Sequence, residues 1–283
     1  GWVLNPRLMK GTIAAIINIA IENDFAEVRN TIENPGFYYD EESEKLIKVN
    51  FDINKSTKDS LKVAIDTLDE LVGYFPNQEV KLSTCIKWGL VAPFNYAKKQ
   101  MNGDYIPWLY LYGKGGSGKT TMGEMLLYLW QIPIAKVNNI GGSSFNTEAR
   151  TGENLSRSTF PILINEPEGA FQKTSVMALI KSAIESTVAR GKFENGRYRT
   201  IPSFAPVMIS ANVFLPNEDA ILRRFEILLF THNEFKDADV TEKFNSAFNI
   251  GNHKKCRLLN LRGFADYFYE EIFDNPELLE LNW

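Results

Sequence analysis

Cysteine is scarce in this chain: Cys85 and Cys256 are the only two, and they lie far apart. Such a pair builds no disulfide framework, which argues against a secreted scaffold and fits a reducing compartment. Long apolar runs are missing too. The longest near the N-terminus, Ile13 to Ile21, is broken by Asn18 and is too short to span a bilayer. It also lacks the charged, cleavable setting of a signal peptide. No membrane partner and no secretion are expected, and the expected location is cytoplasmic, or the interior of a host cell. There is no excess of positive charge: the net charge is -4, so any nucleic-acid contact has to come from a local patch. No internal repeat is visible. What is present is a hydrophobic share of 44% over 283 residues, enough for a sizeable core in one large domain or two smaller ones. Gly1 does not look like a native start, so the chain is expected to be a segment of a longer protein.

Periodicity divides the chain into a mainly helical N-terminal collar or linker (1–79), an α/β core (80–235) and a helical, lid-like C-terminal region (236–283). In the first, a helix is predicted from about Arg7 to Ile32. A hairpin follows, with Phe37 to Tyr39 and Leu46 to Phe51 around the acidic stretch Asp40 to Glu44. A second helix runs from Ser60 to Tyr74, with Leu61, Ile65 and Leu68 at helical spacing, and Pro76 ends it. A third is predicted from Val80 to Met101, bent at Pro93. The middle changes character. Strands at Trp108–Tyr112, Pro161–Asn165, Val207–Ala211 and Glu226–Phe230 alternate with helices at Thr120–Trp130 and Thr174–Ala189. That alternation implies a central parallel sheet with helices on both faces.

The pattern Gly-x4-Gly-Lys-Thr is met at Gly113, Gly118, Lys119 and Thr120, between a predicted strand and a predicted helix. Gly115, Gly116 and Ser117 lie inside the loop and Thr121 follows it. Glycines let successive N–H groups aim at phosphate oxygens, and the helix that follows adds the positive end of its dipole. ATP is the expected ligand. Lys119 would reach its β- and γ-phosphates and Thr120 would ligate Mg²⁺. The bland alternative is a flexible Gly-rich turn. Lys114 sits at a variable position of the pattern and receives no role.

Forty-seven positions after Lys119, the buried strand Pro161-Ile-Leu-Ile ends in Asn165 and Glu166. A carboxylate at that strand end can polarise the water that attacks a γ-phosphate. Asn165 keeps the shape and the amide oxygen of the Asp usual in that place but not its charge. It is expected to position a Mg²⁺-bound water. Glu168 is a weaker rival base, because Pro167 takes the chain out of the strand. The strand Val207-Met-Ile-Ser-Ala ends in Asn212, which could orient the attacking water or simply form a turn. Arg223 and Arg224, ahead of the next strand, are either a solvated helix end or a source of an arginine finger for a neighbouring subunit.

The segment Thr187 to Pro202 has a hairpin signal at Asn195-Gly196. It carries Arg190, Lys192, Arg197 and Arg199 against the single Glu194, interleaved with Phe193 and Tyr198. Basic groups can hold phosphates while an aromatic packs on sugar or base, so DNA is the expected partner; a solvated surface hairpin is the alternative. Arg150 and Arg157, in a predicted polar loop, are either solvent-facing or inter-subunit groups.

Taken in order, these pieces resemble the AAA+ ATPases of the helicase clade that carries a hairpin before its sensor strand. The superfamily-three helicases of viruses and plasmids and the minichromosome maintenance helicases both fit. The matching residues are Gly113 to Thr120, Ile-Leu-Ile-Asn165-Glu166, the hairpin around Lys192 to Arg197, Ser-Ala-Asn212 and Leu222-Arg223-Arg224-Phe225, within residues 80 to 235. The resemblance implies a ring-forming, hexameric, ATP-driven DNA helicase whose hairpins grip one strand. It assigns Glu166, Asn212 and Arg224 to catalysis, Arg224 because the finger directly precedes a Phe in one of these families. It maps the DNA-gripping lysine to Lys192, with Phe193 beside it. Asn165 departs from the family pattern. An ATP-switched initiator or loader without processive unwinding is the second reading, and a small-molecule phosphotransferase, with no need of a basic hairpin, the third. A Lys192→Ala, Arg197→Ala double variant should bind single-stranded DNA more weakly than wild type. Two lost phosphate contacts should flatten the plot of log affinity against log salt by about 1.4, as read by fluorescence anisotropy.

Overall fold

The computed structural model describes residues 6–23, 25, 32–131, 138–194, 197–231, 238–252 and 254–281. The chain forms two compact units, Gly1–Glu33 and Asn34–Trp283. In the first, helix α1 spans Pro6–Glu22, with proline at the first helical position, where its missing N–H costs nothing. The sequence predicted this helix to run on to Ile32. It is described as far as Glu22, where the Asn23 side chain donates to the Ile19 carbonyl at 2.8 Å; Ile32 is not helical, and residues 24 and 26–31 lie outside the described residues.

The second unit begins with the predicted hairpin, β1 (Gly36–Asp40) and β2 (Lys45–Val49), paired Tyr38 to Ile47. Its Phe37 is fully buried and stacks on Phe94 at 4.4 Å. Helix α2 (Lys58–Val72) starts at a capping box in which Thr57 and Ser60 satisfy each other's backbone N–H groups. It ends at Gly73, before the proline expected to stop it. The predicted 80–101 helix is divided into α3 (Glu79–Val91), a tight turn over Ala92–Phe94, and α4 (Asn95–Asn102). Pro93 cannot supply a helical N–H, so the chain tightens there.

The core alternates strand and helix: β3 (Trp108–Gly113), α5 (Lys119–Leu129), β4 (Asn139–Gly141), α6 (Glu148–Leu155), β5 (Ile162–Asn165), then the short α7 (Glu168–Phe171) and α8 (Thr174–Glu185). A second hairpin follows, β6 (Val188–Glu194) and β7 (Arg197–Pro202), then β8 (Val207–Ala211), the short α9 (Asp219–Leu222) and β9 (Phe225–Phe230). The tail holds α10 (Ala238–Phe248) and α11 (Arg262–Asp274). Five strands make a parallel sheet in the order β4-β5-β8-β3-β9. The fold is therefore α/β, with a parallel sheet flanked by helices. Strand residues alternate between faces, as a two-residue pleat requires. Leu109, Leu111, Leu163 and Met208 enter one core, with α3, α5 and the tail. Trp108, Tyr110, Ile162, Ile164, Val207 and Ile209 enter the other, with α6 and α8. Residues 36–79 and the tail share the first core, so they pack as flanking layers of the sheet. Among the described residues, no helix is long and apolar enough to cross a membrane.

Three local expectations are corrected. The helix predicted to reach Ala189 ends at Glu185, and Val188 and Ala189 belong to β6. The Ala183 carbonyl, freed at that end, accepts from Lys99 Nζ at 2.7 Å and from Ser203 Oγ at 2.7 Å. Burial pushes the Lys99 ammonium down to about 7. Strand β4 and helix α6 were not foreseen, and Arg150 lies in α6 rather than in a loop.

A buried ion pair inside the tail carries hydrogen bonds that tie the tail to the rest of the unit. Arg262 and Asp266, both 4% exposed, meet at 2.6 Å across one helical turn. The remaining guanidinium donors reach the Trp130 carbonyl at 3.0 Å and the Asp52 carbonyl at 2.6 Å. Asp266 also accepts from the Asn54 backbone and side chain. Removing one partner of such a pair strands a buried charge. Asp266→Ala should therefore lower the unfolding free energy by about 3–5 kcal/mol in urea denaturation, with little change if Arg262 is replaced together with it by an apolar residue of similar volume.

Candidate functional site

Strand β3 delivers the chain to the Gly-rich loop at the C-terminal edge of the sheet, and α5 leaves from Lys119. Gly113 has φ 141°, and a Cβ there would lie 1.9 Å from the Phe230 carbonyl oxygen. Only glycine lets the loop turn off a strand already paired to β9. Lys119 is 5% exposed and folds down over the loop. Its ammonium donates to the carbonyls of Gly113 (2.8 Å) and Lys114 (2.6 Å) and to Asn212 Oδ1 (3.2 Å). Burial pulls the Lys119 pKa down from its ordinary value, and the charge of Glu166 opposes that shift.

Glu166 and Asn212 come together because β5 and β8 are neighbours, with Asn165 beside Ser210. The Glu166 N–H is held by the Ser210 carbonyl at 2.9 Å. Its backbone is left-handed, φ 53°, an uncommon state for a residue with a side chain. The peptide opposite is Gly142, where a Cβ would lie 2.1 Å from the Glu166 carbonyl oxygen. The Asn212 amide spans the site. Its Nδ2 donates to Glu166 Oε1 at 2.7 Å while its Oδ1 accepts from Lys119.

Thr120 Oγ1 shares a hydrogen bond with Ser210 Oγ at 3.0 Å. Asn165 donates through Nδ2 to Asn139 Oδ1 at 2.7 Å, and its own Oδ1 is buried with no protein partner. A hydroxyl, an orphaned amide oxygen and a nearby carboxylate are hard oxygen donors. That set fits Mg²⁺, which keeps several waters and takes few protein ligands when phosphate is present. Among the described residues no cluster of three or more His, Cys, Asp or Glu could hold a metal by itself. Residues 115–121, Asn165, Glu166 and Asn212 line one cleft of about 380 Å³, joined by Ser210 and Thr241. Ser210 and Thr241 were missed. Ser210 carried the signal of lying two residues before Asn212 along a strand that ends just before it, hence toward the same side. Thr241, on α10, carried none.

Arg224 does not line this cleft, and it is turned inward. It is buried, bonded to Glu185 Oε2 at 2.6 Å and to the Ala220 carbonyl. The side chain of Arg223 is 67% exposed and lies 3.8 Å from the same carboxylate. Arg224, which the resemblance offers as the finger, is paired within its own chain with Glu185, at the end of α8. The basic hairpin is a separate two-stranded sheet, with Lys192 facing Arg199 and Phe193 facing Tyr198 in register. Arg190 packs its methylenes on Gly152 of α6 and, with Arg199, lines a groove beside that helix. The side chains of Lys192, Phe193 and Arg197, and the turn at Asn195 and Gly196, lie outside the described residues.

No family model and no curated protein matches the chain. Among solved structures it is similar to the A-form apo structure of the C-terminal region of NrS-1, residues 305–718, at 15% identity and a TM-score of 0.39. That match covers 90% of this chain and 59% of the other, so the chain spans under two thirds of that structure. The sheet and the loop define the class, a P-loop NTPase-like core. If the backbone at Glu166 is strained in the service of the site, Glu166→Gly should raise the unfolding free energy by about 1 kcal/mol, read by thermal or urea denaturation.

Proposed function

We propose that the chain is the ATPase core of a replication protein, a DNA helicase or translocase that hydrolyses ATP at sites shared between subunits. The observation that carries this reading is the Lys119–Asn212–Glu166 bridge, which sets a phosphate-binding ammonium and a carboxylate on the two ends of one amide. In the reading, a nucleotide's phosphates draw Lys119 off the Gly113 and Lys114 carbonyls, and N–H groups of residues 115 to 121 cradle them. Lys119 leaving Asn212 frees that amide to orient a water; Glu166 takes its proton as the water oxygen bonds to the γ-phosphorus and the bond to the bridging oxygen breaks, ADP leaving with that oxygen. Bound Mg²⁺, held by Thr120 and through water by Asn165, would neutralise charge on the phosphates. The basic hairpin would grip DNA, and a hexamer would complete each site.

Within that reading Arg223, not Arg224, is the group offered to a neighbouring subunit. An arginine finger has to leave its own chain's surface, and Arg224 is engaged by Glu185. The second reading, an ATP-switched initiator or loader, draws on the uncharged Asn165, which removes one carboxylate from the metal site. DNA-stimulated ATP hydrolysis supports either reading against a small-molecule phosphotransferase. Strand displacement on a forked duplex separates the first from the second. Arg223→Ala and Lys119→Ala should each lack steady-state ATPase activity, and mixing the two should restore part of it. Arg224→Ala should chiefly lower thermal stability. A fully active Arg223→Ala variant would sink the shared-site assignment.

A further inference from the structure

Asn165 does not stand alone behind the loop. Its Nδ2 donates to Asn139 Oδ1 at 2.7 Å, and Asn139 Nδ2 donates in turn to Glu124 Oε1 at 2.8 Å. The three residues come from three elements: β5, β4 and α5. Glu124 lies four residues after Thr120, one turn along the same helix. The direction of this chain is set by its last member. An ionised carboxylate can only accept, so Asn139 has to present its amide nitrogen to Glu124 and its oxygen to Asn165. Asn165 must then present its own nitrogen to Asn139. What is left over is Asn165 Oδ1, the buried oxygen with no protein partner. A buried acceptor without a donor is costly, and this one belongs to a residue that lines the cleft of the Gly-rich loop, where something outside the chain can supply the donor.

We propose that Glu124 and Asn139 are positioning residues for a divalent cation at the nucleotide site: they fix the Asn165 amide so that its oxygen, and not its nitrogen, faces the cation's water shell. The relay replaces by orientation what a carboxylate would achieve by symmetry. An Asp shows an acceptor whichever way it turns, whereas an Asn shows an acceptor only if something holds it. Groups behind metal ligands are known to act in this way, and losing one commonly weakens metal binding by about 10–100-fold. The inference rests on the phosphate-loop reading above.

The experiment measures the binding of a fluorescent ATP analogue to purified chain, titrated with Mg²⁺ and repeated in EDTA. Thermal unfolding of each variant checks that it is folded. In wild type the nucleotide should bind in EDTA and bind more tightly with Mg²⁺. Asn139→Leu should leave binding in EDTA unchanged and raise the Mg²⁺ concentration at half-effect by about tenfold. Glu124→Gln, which should not disturb folding, can let the relay turn over and should shift the midpoint the same way by a smaller factor.

The decisive arm exchanges the acceptor. With Asn165→Asp, the carboxylate needs a donor from Asn139, so Asn139 has to turn its oxygen toward Glu124, where two acceptors meet. Adding Glu124→Gln supplies the missing donor. Glu124→Gln should therefore weaken Mg²⁺ binding in the otherwise wild-type chain and strengthen it in the chain that already carries Asn165→Asp. A merely structural role for Glu124 would not produce that reversal of sign. If Mg²⁺ tightens nucleotide binding in wild type, and Asn139→Leu and Glu124→Gln leave its midpoint in place, the relay is overturned while the nucleotide site stands. If wild type binds no nucleotide with or without Mg²⁺, the phosphate-loop reading itself fails.

Discussion

One strand placement underlies everything at the site: β8 lies between β3 and β5, in parallel register with both. Tyr110, Ile209 and Ile164 form one row across the three strands. Because parallel strands end at the same edge, the loop after β3, the end of β5 and the end of β8 all open onto one cleft. Asn212 therefore reaches Lys119 on one side and Glu166 on the other. Ser210, two residues earlier on the same side, reaches Thr120. Were β3 and β5 adjacent, no amide would stand between the ammonium and the carboxylate.

The same sheet explains how polar groups are tolerated at the edge of so apolar a core. The interiors of β5 and β8 bury isoleucine, leucine, valine and methionine on both faces, and polarity appears only near their C-terminal ends. The polar side chains there are paired within the chain, except for Asn165 Oδ1 and the open side of Glu166. The strain that remains, the left-handed backbone at Glu166, lies one residue beyond β5 and is held by the Ser210 carbonyl. The left-handed backbone thus falls on the residue proposed as the base. On the far side of the core, the Arg262–Asp266 pair fixes the tail against Trp130, at the far end of the helix that begins with Lys119.

Much of this was legible beforehand. The hairpin at residues 36–49, the break at Pro93 and four of the five sheet strands follow from periodicity and from where proline and glycine stand. What was not legible has physical reasons. Strand β4 is three residues long, too short for any alternation to register. Helix α8 stops early because Lys99, 84 residues before, caps its last carbonyls, and no local sequence announces such a cap. Arg223 and Arg224 are chemically identical neighbours, and only the folded chain buries one against Glu185 and the Ala220 carbonyl and leaves the other exposed.

The linear chain alone determined that a Gly-x4-Gly-Lys-Thr loop follows a buried strand and that Asn165 and Glu166 end another. Those are local facts: residue type, spacing and the apolar runs before them. The tertiary structure decided which groups meet. It placed Asn212 between Lys119 and Glu166, turned Arg224 inward, and joined Glu124, Asn139 and Asn165 into one directed relay. A hydrogen-bonded network between separate elements has no period and no motif. It depends on strand order and on which atom of each amide finds a donor, and both exist only once the sheet is assembled.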